Sequence, residues 1–172
     1  MAPNYRVCFL ISLTTILFLL LDLPFGQPDE CNKGGTGGYK RINEPRRSVE
    51  SIFKIGESAI CDRVLDRGWY RFESIVEKNA QMPTEKVNQM RCGTVHPIWM
   101  RGSHPSVSEG IVDRDACINF YDMKNGCFAK LPIKVRNCGD FFVYYLGPTY
   151  SCSLAYCAGK FVYTFARHLH VV

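Results

Sequence analysis

The pentapeptide Gly68-Trp69-Tyr70-Arg71-Phe72 sets the texture of the whole chain. Aromatic side chains favour pleated backbone, and alternation puts Trp69 and Arg71 on one face, Tyr70 and Phe72 on the other. The same texture returns downstream. Ile133-Lys134-Val135-Arg136 alternates cleanly, which implies a buried apolar face and a solvated basic one. Phe141-Phe142-Val143-Tyr144-Tyr145-Leu146 reads as a continuous apolar and aromatic strand, and Val112, Ile118, Phe120 and Tyr121 mark another extended region. Pro83, Pro97, Pro105, Asn125-Gly126, Pro132 and Gly147-Pro148 punctuate these runs. Upstream, Val49, Ile52 and Phe53 recur at i, i+3, i+4, which predicts a short helix within 47–60, interrupted at Gly56. The expected fold is a small disulfide-rich, β-dominated α+β domain with short strands and one or two short helices.

A chain of 172 residues with 47% hydrophobic and 22% charged residues has the length and composition of one globular domain plus a processed end. It is neither collagenous nor disordered. The net charge of +5 is too small to demand a nucleic-acid partner. Arg6 precedes a largely apolar run at 7–21 that Asp22, Pro24 and Gly26 break, so residues 1–26 read as a secretory signal peptide. The run is shorter than the roughly 20 residues of a membrane helix. The alternative is an uncleaved anchor, the one route by which this chain would meet a membrane. Residues 27–38 read as a flexible Gly-rich lead-in that includes Cys31, residues 39–157 as the cysteine-bearing domain, and residues 158–172 as an aromatic and basic tail in which Phe161, Tyr163 and Phe165 alternate.

Cys8 leaves with the signal. Eight cysteines remain: Cys31, Cys61, Cys92, Cys117, Cys127, Cys138, Cys152 and Cys157. An even count in an oxidising compartment reads as four disulfides. The zinc alternative lacks any C-x-x-C pair. Spacing alone leaves the pairing open. Large aliphatic residues are few, so crosslinks must offset a thin core.

Catalytic chemistry has no foothold. His96 and His104 each precede proline, and neither they nor His168 and His170 sit in a nucleophile-elbow or zinc-helix motif. The even cysteine count leaves no free thiol nucleophile. The acidic pairs Asp62/Asp66 and Asp113/Asp115 read as solvated surface, and Met82 as core filler. The glycines at 34–38 run into Tyr39-Lys40 rather than Gly-Lys-Ser/Thr, so they do not form a phosphate loop. No catalytic residue, metal site or cofactor is expected. The enzymatic alternative is a secreted hydrolase built on His96 or His104. The candidate binding surface is the 91–105 loop, where Trp99, Met100, Arg101 and His104 mix aromatic, apolar and basic groups. The competing reading makes Trp99 core. The expected partner is an extracellular protein, a glycan or a matrix polyanion.

A longer set of residues carries a family likeness. It comprises Cys61-Asp62, Gly68 to Phe72, Met82, Arg91-Cys92, Pro97-Ile98-Trp99-Met100 and Gly102-Ser103-His104-Pro105-Ser106. It continues through Glu109-Gly110-Ile111-Val112, Ala116-Cys117, Phe142-Val143-Tyr144 and Leu154-Ala155-Tyr156-Cys157. With these residues the chain resembles the eight-to-ten-cysteine extracellular domain shared by uromodulin, the pancreatic secretory granule membrane major glycoprotein and oncoprotein-induced transcript 3 protein. The resemblance implies the pairs Cys31–Cys138, Cys61–Cys152, Cys92–Cys157 and Cys117–Cys127. Ten-cysteine members carry extra cysteines near Lys86 and at Gly126, and the resemblance implies that those two bond each other. It also implies binding rather than catalysis, as a secreted or cell-surface recognition and adhesion module. The alternative is a truncated piece of a larger modular glycoprotein with growth-factor-like repeats or a zona pellucida module. The family's glycan-decoy role needs acceptor asparagines. Arg101 and Tyr145 stand at the matching positions, and the chain has no Asn-x-Ser/Thr.

Overall fold

The computed structural model describes residues 28–73, 78–121 and 124–159. The signal at 1–26 and the tail residues Phe161, Tyr163, Phe165, His168 and His170 lie outside them. Seven strands form one sheet: β1 (Lys40–Ile42), β2 (Gly68–Phe72), β3 (His96–Arg101), β4 (Ile111–Ile118), β5 (Ala129–Asn137), β6 (Phe142–Leu146) and β7 (Leu154–Tyr156). Their order is β1-β2-β6-β5-β4-β3-β7. The centre is antiparallel, with β3, β4, β5 and β6 each paired to their chain neighbours. Both edges are parallel additions, β1 on β2 and β7 on β3.

The period-two reading of the strands holds. Tyr70, Phe72, Ile133, Val135, Tyr144 and Leu146 are buried on one face, together with Ile98, Met100 and Ile118, and Met82 packs onto them from coil. The other face is divided. Near β3 and β4 it carries a second cluster of Trp99, Cys92, Cys117, Cys157, Val49 and Val87. Further along it is solvated, and Lys134 and Lys130 there pair with Asp113 and Asp115.

The expected helical part is corrected. Among the described residues the helices are four single 3-10 turns: Asp29–Cys31, Pro45–Arg47, Asp62–Val64 and Val107–Glu109. Across 47–60 the backbone hydrogen bonds go elsewhere. Phe53 N–H donates to Met90 O at 2.9 Å, and Ile52 bridges Arg91. Val49 and Phe53 turn inward while Ile52 stands 61% exposed, so the three do not share a helical stripe. Gly56, at φ 96°, completes the break. The glycine-rich stretch closes on itself rather than running open. Tyr39 N–H donates to Asn32 O at 2.8 Å, and Gly34 N–H donates to Tyr39 O at 3.0 Å. Gly38 has to be glycine, because a Cβ there would strike the Gly34 carbonyl.

Four disulfides crosslink the irregular segments to one another and to β4: Cys31–Cys138, Cys61–Cys152, Cys92–Cys157 and Cys117–Cys127, the pairs that the resemblance implies. A buried ion pair does the same at the β7 edge. Arg47 grips Asp62 through two hydrogen bonds of 2.8 and 2.6 Å. Asp62 Oδ2 also accepts Tyr156 N–H at 2.8 Å, and Arg47 Nη1 donates to Tyr156 O at 3.0 Å. The pair stands where an eighth strand would, satisfying the donor and acceptor that an edge strand leaves open.

Two outcomes follow from this packing. Asp62→Ala strands a buried guanidinium and an edge N–H, so urea unfolding should show a loss of about 3–5 kcal/mol. The double variant Arg47→Met/Asp62→Leu removes both charges but still orphans the Tyr156 backbone, so about 1–3 kcal/mol of loss should persist. Full recovery in the double variant would refute the edge-capping role. The second outcome concerns His96, whose ring stacks on Phe120 at 4.0 Å. Burial holds its imidazole below the ordinary 6.5. The unfolded chain therefore binds that proton more readily, and stability falls as pH drops from 6.5 through the lowered folded value. His96→Phe keeps the ring contact and should flatten this fall. The check is melting temperature at about pH 7.5 against about pH 5.5 for both proteins.

Candidate functional site

β3 organises the candidate surface, but it buries half of it. Its pleat sends Trp99 to the cysteine-lined cluster, where the indole is 7% exposed and Nε1 donates to Gly126 O at 2.9 Å. Met100 points to the opposite face and is fully buried. Both are core, which corrects their reading as ligand contacts. A strand covered on both faces mixes aromatic and apolar residues just as a sticky loop does. Arg101 is exposed at the strand's end, opposite Asp115. His104 is half-buried, and its ring lies 4.5 Å from that of Phe142.

Beside His104 opens a cleft of about 480 Å³. The coil at 81–88 forms one wall, and Val49, Arg91, His104 and Gly159 complete it. This coil is irregular but closely held. Met82 N–H donates to Tyr144 Oη at 3.1 Å, and Asn119 Nδ2 donates to Val87 O at 2.7 Å. Met100 N–H donates to Pro83 O, and Gly159 N–H donates to Gln81 O, both at 2.9 Å. The wall is thus pinned to the inner core, to β3 and to the segment after β7.

Tyr144 joins the wall to His104. Burial pushes its phenol far above the ordinary value, so Oη keeps its proton. Oη accepts from Met82 N–H and shares a 2.8 Å hydrogen bond with His104 Nε2. Around the mouth, Thr84, Glu85 and Asn88 are exposed, and Arg91 Nη1 donates to Glu50 O at 3.0 Å. The lining is thus apolar from Val49, Met82, Pro83 and Val87, with a charged and amide rim.

The other candidate chemical groups are dispersed. His96 contacts Phe120 and Gln89, about a strand's length from His104. Asp62 was expected on the surface but lies buried against Arg47, because it caps β7. Asp66 pairs with Lys40, Asp113 with Lys134 and Asp115 with Lys130. Among the described residues, no three His, Cys, Asp or Glu side chains gather to hold a metal, and no helix is long and apolar enough to cross a membrane. The 81–88 wall is what residue-level reading missed. Its one legible sign was Met82-Pro83, an apolar residue at a break, which does not reveal which carbonyls it offers to β3. Lys86 and Gly126 approach each other: a Cβ on Gly126 would strike the Lys86 side chain.

The family profile described as the uromodulin-like D8C domain matches residues 70–158. The pancreatic secretory granule membrane major glycoprotein of Rattus norvegicus is 38% identical over 145 residues, covering 80% of this chain and 26% of that protein. Its counterpart in Canis lupus familiaris is 40% identical over 120 residues, covering 69% and 22%. Uromodulin of Mus musculus is 40% identical over 130 residues, covering 75% and 18%. The matched part therefore spans about a quarter or less of these curated relatives. By the profile, by these identities and by its four crosslinks, the chain belongs to the uromodulin-like D8C domain family, whose members are disulfide-bonded, non-enzymatic extracellular modules.

Proposed function

We infer that this domain is a secreted or cell-surface recognition and adhesion module, and that it takes an extracellular protein ligand in the cleft beside the 81–88 wall. The observation that carries the reading is the cleft itself, about 480 Å³, with an apolar floor and a polar rim. That volume is in the range of ligand-binding clefts, and an apolar centre ringed by polar groups is the anatomy of a protein interface. Its wall is already held by four hydrogen bonds, so little ordering cost is left for binding. The absence of Asn-x-Ser/Thr also matters, because recognition then runs through the domain's own side chains rather than an N-linked sugar.

The test is an array of extracellular proteins and glycans probed with the secreted domain. Thr84→Trp places a bulky ring at the mouth from an exposed position, while Ile55→Ala alters an exposed side chain elsewhere. Protein hits should survive Ile55→Ala and weaken at least about tenfold, or 1.4 kcal/mol, in Thr84→Trp. Hits indifferent to Thr84→Trp would move recognition away from the cleft. Hits confined to glycans would overturn the ligand class.

A further inference from the structure

The solvated part of the outer sheet face carries a feature separate from the cleft. Register places Trp69 opposite Tyr145, Tyr145 opposite Lys134, and Lys134 opposite Asp113. These four therefore form one row across β2, β6, β5 and β4. At about 4.8 Å per strand, the row is roughly 14 Å long. Trp69 and Tyr145 are half-buried, with ring centroids 5.4 Å apart in an edge-on contact. They form a fixed aromatic step on an otherwise polar surface.

A cation is seated beside this step. Gly147 lies two residues beyond Tyr145, just past the end of β6. Having no side chain, it leaves room that the Arg67 guanidinium fills: a Cβ on Gly147 would stand 2.9 Å from Arg67 Cζ. Arg63 is exposed on the same loop. That loop is fastened to 147–152 by Cys61–Cys152 and by Thr149 N–H donating to Asp62 O at 3.1 Å. Tyr150 is also exposed there. Among the described residues, Arg63 and Arg67 enter no ion pair, whereas the nearby carboxylate of Asp66 is matched by Lys40 and that of Asp113 by Lys134. Positive charge without an ion-pair partner among the described residues thus sits on the loop that leads into Trp69 and packs at Gly147, two residues past Tyr145.

We propose that Arg63, Arg67, Trp69 and Tyr145 form a binding site for a sulfated polysaccharide. Aromatic faces pack against the apolar faces of sugar rings, and guanidinium groups bind sulfate oxygens through paired N–H donors. The flat row suits an extended chain rather than a folded epitope. The net charge of +5 favours approach of a polyanion. None of these four residues lines the cleft, so the site stands or falls independently of it.

Immobilised heparin is the probe, with neutral dextran and anionic phospholipid vesicles beside it, and the whole secreted protein is the sample. The wild type should bind heparin at about 0.15 M salt, release as salt rises, and ignore dextran. Arg63→Gln/Arg67→Gln should bind about tenfold more weakly, whereas Lys33→Gln/Lys54→Gln, which removes equal charge from other exposed positions, should change affinity less than about twofold. Trp69→Ala should also weaken binding about tenfold, but with the salt dependence unchanged, because it removes packing rather than charge. Gly147→Ala should mimic the loss of Arg67 by displacing the guanidinium. Both arginines are exposed, so the arginine pair decides the matter even where Trp69→Ala unfolds. Failure of the wild type to bind heparin, equal effects of the two double variants, or vesicle binding that survives Trp69→Ala would each overturn the site.

Discussion

Everything in this molecule hangs on fastening long irregular segments to a single sheet. Seven strands, two of them only three residues long, cannot bury enough surface to hold coil by apolar contact alone. The fasteners are covalent. Cys31–Cys138, Cys61–Cys152 and Cys92–Cys157 close loops separated by 107, 91 and 65 residues. In the chain-entropy model a loop of that size is worth about 4–5 kcal/mol, a large share of the roughly 5–15 kcal/mol by which a domain is stable at all. Arg47 and Asp62 complete the scheme at the β7 edge, between the Cys61–Cys152 and Cys92–Cys157 links. An ion pair buried without further partners would be a poor stabiliser. Here Arg47 Nη1 and Asp62 Oδ2 also bind the Tyr156 backbone, and that turns part of the desolvation cost into edge closure.

The same fastening produces the cleft. The 81–88 coil has no strand of its own to join, yet it lends Pro83 O to β3 and Gln81 O to the segment after β7. Tyr144 reaches from the inner core to meet it, and the one phenol oxygen serves both Met82 N–H and His104. A change at Tyr144 would therefore loosen the wall and free the His104 ring together. The cleft is part of the packing arrangement rather than an addition to it.

How much of this was readable before folding depends on how local the cause is. Alternation in Trp69 to Phe72 and in Ile133 to Arg136 is local, and the faces came out as the pleat demands. The even cysteine count is a property of the whole chain and needs no geometry. By contrast, the spacing of Val49, Ile52 and Phe53 is equally local and misled, because the 90–91 segment outbid the helix for their backbone groups. Trp99 and Met100 misled for a different reason. A strand with core on both sides loses the alternation by which strands are recognised, and it resembles an exposed patch. Asp62 looked like any loop carboxylate, and only the position of β7 makes it structural. The cleft wall was illegible because its four hydrogen bonds reach residues far apart in the chain.

Arg101 and Tyr145 sharpen what kind of surface this is. Arg101 is exposed and Tyr145 half-buried, and neither can carry an N-linked glycan. Tyr145 instead meets Trp69 ring to ring, and Arg101 is exposed at the end of β3. A covering glycan would hold water and keep other molecules off the sheet. Side chains of this kind do the opposite: they are the residue types that contribute most where surfaces meet.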